Sequence, residues 1–304
     1  MMRSVKWSVK GWKATAVCLA VVIVIVVQAL GLGTGWSQEI SPPRLDENFT
    51  KQEKIYRSRG ADIPIGYVTG RGLADYAEVL PTGFCDTLGK LGSSDRWLDI
   101  GAGQGQAILD YYAPEDHTAP AQKCGRSAAR AVAVALSIED RRTDKWRAQA
   151  AISGDRLRYL TGKRLRQYSA DELGKFQIIT DVYGGFSYTE DLSGFLGKVL
   201  SLLETGGVFY SLVPGVHLED GKDKLLGTWY LTELENAIGR PEKVCSWLKK
   251  TACVQVTCES KSDWERPTEL INIRKVCSDV SVTPMKLLEY NTGTPPGRRF
   301  QLEQ

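Results

Sequence analysis

Histidine is almost absent from this chain: His117 and His217 are the only two in 304 residues. That excludes a histidine-rich metal centre and leaves little room for a Cys–His catalytic pair. Close cysteine pairs are missing too. The last four cysteines read C-x7-C-x4-C-x18-C, without the short C-x2–4-C spacing of zinc modules, so no metal is expected. A surplus of one charge is also lacking. The 39 basic and 36 acidic residues differ by three, and Arg3, Lys6, Lys10 and Lys13 stand before the first acid, Glu39. Without those four, 35 basic residues face 36 acidic ones, a balance of −1. Nothing there provides the basic surface that nucleic acid requires, and no nucleic-acid partner is expected. No internal repeat is visible. At 42% hydrophobic and 25% charged, the composition is that of an ordinary globular protein.

One long apolar run is present. Residues 14–33 carry no charge, and beyond Thr15 their only polar side chain is Gln28. The run approaches the roughly 20 residues that span a bilayer. Small residues from Ala29 to Gly35 also permit cleavage as a secretory signal. Residues 1–35 therefore read as a signal peptide or a membrane anchor. Either way the basic flank keeps the N-terminus in the cytoplasm and the domain on the non-cytoplasmic side; the opposite orientation is the alternative. Residues 36–60 form a polar linker with Pro42-Pro43 and the sequon Asn48-Phe49-Thr50. Residues 61–291 form the folded domain, opening with a helical cap that places Leu73, Tyr76, Ala77 and Leu80 on one face. Residues 292–304, with Pro295-Pro296-Gly297, read as a flexible tail.

The most specific stretch is Trp97-Leu98-Asp99-Ile100-Gly101-Ala102-Gly103-Gln104-Gly105. A buried strand runs into glycines on alternate positions, and a helical pattern follows from Gln106 to Tyr112. A strand turning into a helix through glycines brings bare backbone N–H groups to a ligand. The dinucleotide fingerprint would need a third glycine where Gln106 stands, so this is G-x-G-x-G. A second block is Phe176 to Gly184, a strand ending in Asp181. An amphipathic helix follows from about Thr189 to Leu203, then Glu204-Thr205-Gly206-Gly207 and the strand Val208–Val213.

These two blocks resemble the first motif and the fourth-to-fifth-strand region of the class I S-adenosylmethionine-dependent methyltransferases. The resemblance implies an α/β fold: a doubly wound, mostly parallel sheet with a C-terminal antiparallel strand pair, preceded here by one hydrophobic segment. Thr251–Cys258 and Glu269–Val276 alternate as that pair, and Thr228–Ile238 reads as a helix. The resemblance places S-adenosylmethionine against Gly101, Gly103 and Gly105, with Asp99 and Asp181 nearby, so a side chain at Gly103 is expected to collide with the donor. Asp181 and Tyr183 are its candidates for catalytic work, and Ser187 and Tyr188 follow them.

The chain departs from the family where the donor's ribose and adenine are held. Ala135 occupies the slot of the acid that ends the second strand, and Lys163 stands where an acid near the adenine is common. A lysine only donates hydrogen bonds. Ser137 or Glu139 are the remaining candidates for the ribose. An inserted loop, Ala113 to Arg126, separates the turn from the second strand.

Two functions follow. One is a membrane-anchored or exported methyltransferase acting on an unknown small molecule, lipid or protein. The other is a non-catalytic binding protein on a degenerate methyltransferase fold. A different nucleotide-using α/β enzyme is a third, lesser reading. Export conflicts with a cytoplasmic methyl donor. Six cysteines lie outside the apolar run, an even number that suits disulfides in an oxidising compartment. If the last two strands form a hairpin, Cys277 comes near Cys253 or Cys245, while Cys253 and Cys258 should not pair with each other.

Overall fold

Short apolar runs separated by helical patterns build one large sheet. The computed structural model describes residues 69–112, 124, 130–214, 231–261, 268–291 and 297–303. The apolar run 14–33, the polar linker, the sequon and most of the inserted loop lie outside the described residues. Among the described residues no helix is long and apolar enough to cross a membrane.

Helices α1 (Leu73–Val79) and α2 (Phe84–Gly89) precede β1 (Arg96–Ile100). Then come α3 (Gln106–Tyr112), β2 (Val132–Leu136), α4 (Asp144–Ser153), β3 (Leu157–Leu160), α5 (Ala170–Leu173) and β4 (Phe176–Asp181). They are followed by α6 (Gly185–Tyr188), α7 (Leu192–Leu202) and β5 (Leu203–Pro214). The chain continues with β6 (Leu231–Glu235), β7 (Pro241–Glu242), α8 (Val244–Leu248), β8 (Val254–Lys261), β9 (Thr268–Lys275), β10 (Met285–Asn291) and β11 (Gly297–Leu302).

The strand order is β3-β2-β1-β4-β5-β9-β8. The first five strands are parallel, and β9 is antiparallel to both β5 and β8. This is the doubly wound sheet with an antiparallel C-terminal pair expected above. Its order reverses between β1 and β4, and ligands of such sheets bind outside the carboxyl ends at that reversal.

Adjacent strand residues serve opposite faces. Leu98, Val134, Ile179 and Phe209 pack under α7. Trp97, Ala133, Ile178 and Val208 pack under α1, α3 and α4. The amphipathic helix is α7, with Leu192, Leu196, Val199 and Leu200 buried and its N-terminus capped by the Asp191 carboxylate, which accepts the Gly194 N–H at 2.8 Å. At its other end the buried Lys275 ammonium donates to the Leu200 and Leu203 carbonyls, both at 2.9 Å. A cation there meets the negative end of the helix dipole.

Two expectations need correction. Residues 231–235 are not helical: they are β6, held in parallel by β11 and in antiparallel by β7. Leu231 and Leu234 are three apart, a spacing that suits a helix, but pairing with a distant strand decides the matter. Nor is 292–304 a loose tail throughout, because Gly297–Leu302 is β11. It lies inside a second sheet of order β10-β11-β6-β7, and Phe300 is fully buried against the α7-side core with Leu234 and Met285. Prolines and two arginines disguised it. The Arg298 charge is taken up by the Thr232 hydroxyl and the Thr189 carbonyl, at 2.9 and 2.7 Å.

All six cysteines outside the apolar run are paired. Cys253–Cys277 closes the base of the β8–β9 hairpin, one of the two pairings expected. Cys245–Cys258 ties α8 to β8, and Cys85–Cys124 ties α2 to the inserted loop.

The buried Phe300 gives the C-terminal strand a measurable weight. Phe300→Ala is expected to cost about 3–5 kcal/mol in urea unfolding, as for other large-to-small core changes. A loss under about 0.5 kcal/mol, the surface range, would return residues 297–302 to the status of a tail.

Candidate functional site

β1 ends in an acid that never reaches solvent. Asp99 is fully buried. Its carboxylate accepts the Tyr76 hydroxyl from α1 at 2.9 and 3.0 Å and the Thr180 hydroxyl from β4 at 2.7 Å. Gly101, Gly103 and Gly105 follow with φ of 74°, 56° and 74°, a left-handed conformation that glycine adopts without steric cost. Space also demands glycine. A methyl group on Gly101 would lie 2.7 Å from the Gly184 Cα, one on Gly103 would strike the Thr69 carbonyl, and one on Gly105 would strike the Trp146 ring.

Four of the five amides of the turn are used within the chain. Gly101 and Ala102 donate to the Leu136 carbonyl at 2.9 and 3.1 Å, Gln104 to the Thr69 carbonyl at 2.6 Å and Gly105 to the Ala102 carbonyl at 2.8 Å. These four N–H groups, expected from the sequence to be bare, are therefore engaged here. The side chain excluded at Gly103 would meet the Thr69 backbone first, not a ligand.

β4 ends in a second buried acid. Asp181 accepts the Gly184 and Phe186 amides at 2.9 and 3.0 Å, which curls the chain around it. Inside that curl Tyr183 has φ of 53°, strained for a residue with a Cβ. Its ring faces the Arg71 guanidinium at 4.7 Å. Ser187, next in the loop, is buried, with its hydroxyl directed at the Leu212 carbonyl.

The β2 and β3 ends form the other wall. Asp99, Ala135 and Tyr159 lie in one row across three strands. Because Ala135 is small, the Tyr159 side chain reaches over the row to the turn, where its hydroxyl donates to the Gly103 carbonyl. The Trp146 ring packs edge-on against Tyr159 at 5.1 Å. Ser137 is buried just past the end of β2, and its amide donates to the Leu160 carbonyl at 3.0 Å. Glu139 pairs with Arg141 at 2.8 Å, and Lys163 with Glu172 at 2.8 Å on the surface.

The structure thus brings Asp99, Gly101, Gly103, Gly105, Ser137, Asp181 and Tyr183 to the carboxyl ends of the neighbouring strands β1, β2 and β4. Glu139 and Lys163 follow β2 and β3, each in an ion pair. For S-adenosylmethionine the turn's conformation fits, while on the ribose side Ala135 offers no carboxylate and Glu139 is paired with Arg141. Sequence reasoning missed Thr69, Trp146 and Tyr159. Gly70 and Gly72, two glycines just before α1, were the available sign that a backbone segment passes close to something.

No family model matches the sequence, and no curated protein matches it. By structure the chain is similar to an rRNA methylase from Streptococcus thermophilus, at 12% identity, covering 64% of this chain and 94% of that one, with a TM-score of 0.37. It is similar to phosphoethanolamine N-methyltransferase 2 of Haemonchus contortus in complex with S-adenosyl-L-methionine, at 11% identity, 75% and 60% coverage and a TM-score of 0.47. A geranyl diphosphate methyltransferase in complex with GPP and sinefungin shares 17% identity, with 54% and 67% coverage and a TM-score of 0.35. These are likenesses of fold.

Burial raises the Asp99 and Asp181 carboxyls to about 7, against hydrogen bonds that pull them down. The native state then keeps protons that the unfolded chain releases near pH 4. Between those values the unfolded chain binds fewer protons, so the contribution of these groups to stability is present below about pH 4 and is lost as pH rises towards 7. Urea unfolding at pH 5 and pH 8 should show the protein more stable at pH 5, with a smaller difference in Asp99→Asn. An unchanged difference in that variant would mean that Asp99 is charged throughout.

Proposed function

We propose that this chain, which has the fold of the class I S-adenosylmethionine-dependent methyltransferases, is a methyltransferase that binds its donor at the Gly101–Gly105 turn. One observation carries the reading: three glycines in left-handed conformation at the carboxyl end of β1, where the strand order reverses. Methyl transfer asks mainly for positioning, and such a turn allows a ligand close approach to backbone. Gly101, Gly103 and Gly105 would line the donor, with Tyr183 at the acceptor side. Ser137 or Glu139 would hold the ribose. Asp99 and Asp181, buried and fully engaged, shape the cleft from below. The acceptor is a small molecule, a lipid or a protein.

A second reading is a non-catalytic binding protein, and a specific observation favours it. Thr69, Trp146 and Tyr159 fill the space beside the turn, and Ala135 leaves no acid for the ribose. Three disulfides point the same way. They suit an oxidising compartment, as does the apolar run 14–33 with its basic flank. A cytoplasmic donor must be delivered to a domain placed there.

Calorimetry on the full-length protein separates the readings. The methyltransferase reading expects S-adenosylmethionine and S-adenosylhomocysteine to bind with dissociation constants on the order of micromolar, about −8 kcal/mol. Silence with both would overturn the methyltransferase reading and favour the second. For location, a phosphatase that is active only outside the cytoplasm, fused after Gln304, is expected to be active. An inactive phosphatase with a fluorescent cytoplasmic fusion would place the domain inside.

A further inference from the structure

We propose that Asp110 latches the Thr69–Gly72 strap over the glycine turn, and that this latch gates access to the turn's ligand. The gate rests on the donor reading above; the latch does not.

The strap is held at both ends. At the first, the Thr69 carbonyl accepts the Gln104 amide at 2.6 Å, and the Gln104 side-chain amide reaches the Thr69 hydroxyl at 3.4 Å. The Thr69 backbone fills the space beside Gly103. At the second, the Leu73 amide donates to one oxygen of the buried Asp110 at 2.8 Å, and the Gln106 side chain holds the other at 2.6 Å. Asp110 lies on α3, the helix that the glycine turn begins. Turn, helix, carboxylate and strap therefore form a closed circuit, and the Asp110 contact is the link that leaves the turn itself intact when cut.

Gly72 shows how tightly the latch is fitted. Its φ of −86° and ψ of 178° suit any residue, so its backbone conformation does not require glycine. The requirement is space: a Cβ there would lie 2.6 Å from the Asp110 carboxylate oxygen. Between the two ends, Arg71 places its guanidinium over the Tyr183 ring. Opening the strap uncovers Gly103 and carries Arg71 off Tyr183, so both sides of the cleft open in one movement. A ligand that contacts Gly103 must first displace Thr69, and its net affinity is lowered by the cost of that opening.

Two variants of the full-length protein test this from opposite sides. Gly72→Ala wedges the latch from the strap without removing a polar group from the interior. Asp110→Ala removes the acceptor. Amide hydrogen exchange at Arg71, Gly72, Leu73 and Gln104 is read without ligand, with α1 amides beyond Tyr76 as control. S-adenosylhomocysteine affinity is read by calorimetry. Both variants should exchange these amides about fivefold faster and bind about fivefold tighter, the factor expected for one lost hydrogen bond. Unchanged exchange in folded Gly72→Ala overturns the latch. Faster exchange with parental affinity overturns the gate. Faster exchange with no binding by any of the three proteins upholds the latch and overturns the donor reading.

Discussion

Three segments press on one turn, and the rest of the cleft follows from that crowding. Gly184 from the β4 loop meets Gly101, Thr69 from the strap meets Gly103 and Trp146 from α4 meets Gly105. None of these contacts survives a Cβ. The alternating glycines are therefore a packing requirement before they are the proposed ligand site. The same backbone geometry serves both purposes, because whatever sits against a glycine turn must come within contact distance of main chain.

Beneath the turn, two buried carboxylates do the holding. Asp99 joins α1, β1 and β4 through the Tyr76 and Thr180 hydroxyls, and Asp181 winds the β4 loop on the Gly184 and Phe186 amides. Such acids are costly unless fully bonded, and these are bonded by four different groups. The C-terminal sheet fastens the same loop from outside. Arg298 donates to the Thr189 carbonyl, and the Tyr290 hydroxyl to the Tyr188 carbonyl at 3.0 Å. Residues more than a hundred positions downstream thus fasten the far end of the segment that carries Tyr183 and Ser187.

The parallel core was legible because its strands are short continuous apolar runs and its helix α7 has a clear 3.6-residue period. The strand β11 was not. Its burial depends on pairing with β6 and on partners for Arg298, neither of which leaves a local mark. The short stretch 231–235 carried a spacing compatible with both helix and strand. At the site, Asp99, the three glycines and Asp181 stood out through their position at strand ends. The groups that fill the cleft did not. Tyr159 matters because Ala135, its neighbour across the sheet, is small, and Thr69 matters because a backbone carbonyl carries no sequence signature. The disulfide Cys253–Cys277 was within reach of register arithmetic, whereas Cys85–Cys124 spans a loop whose path no pattern predicts.

The proposed ligand site at the Gly101–Gly105 turn is covered by the chain's own groups. Backbone amide chemical shifts during titration with S-adenosylhomocysteine test it most directly. Saturable shifts are expected at Gly101, Gly103, Gln104 and Gly105 together with Thr69 to Leu73, since the ligand must replace the strap on the turn. Shifts confined to other parts of the domain, or none at saturating ligand, would contradict it.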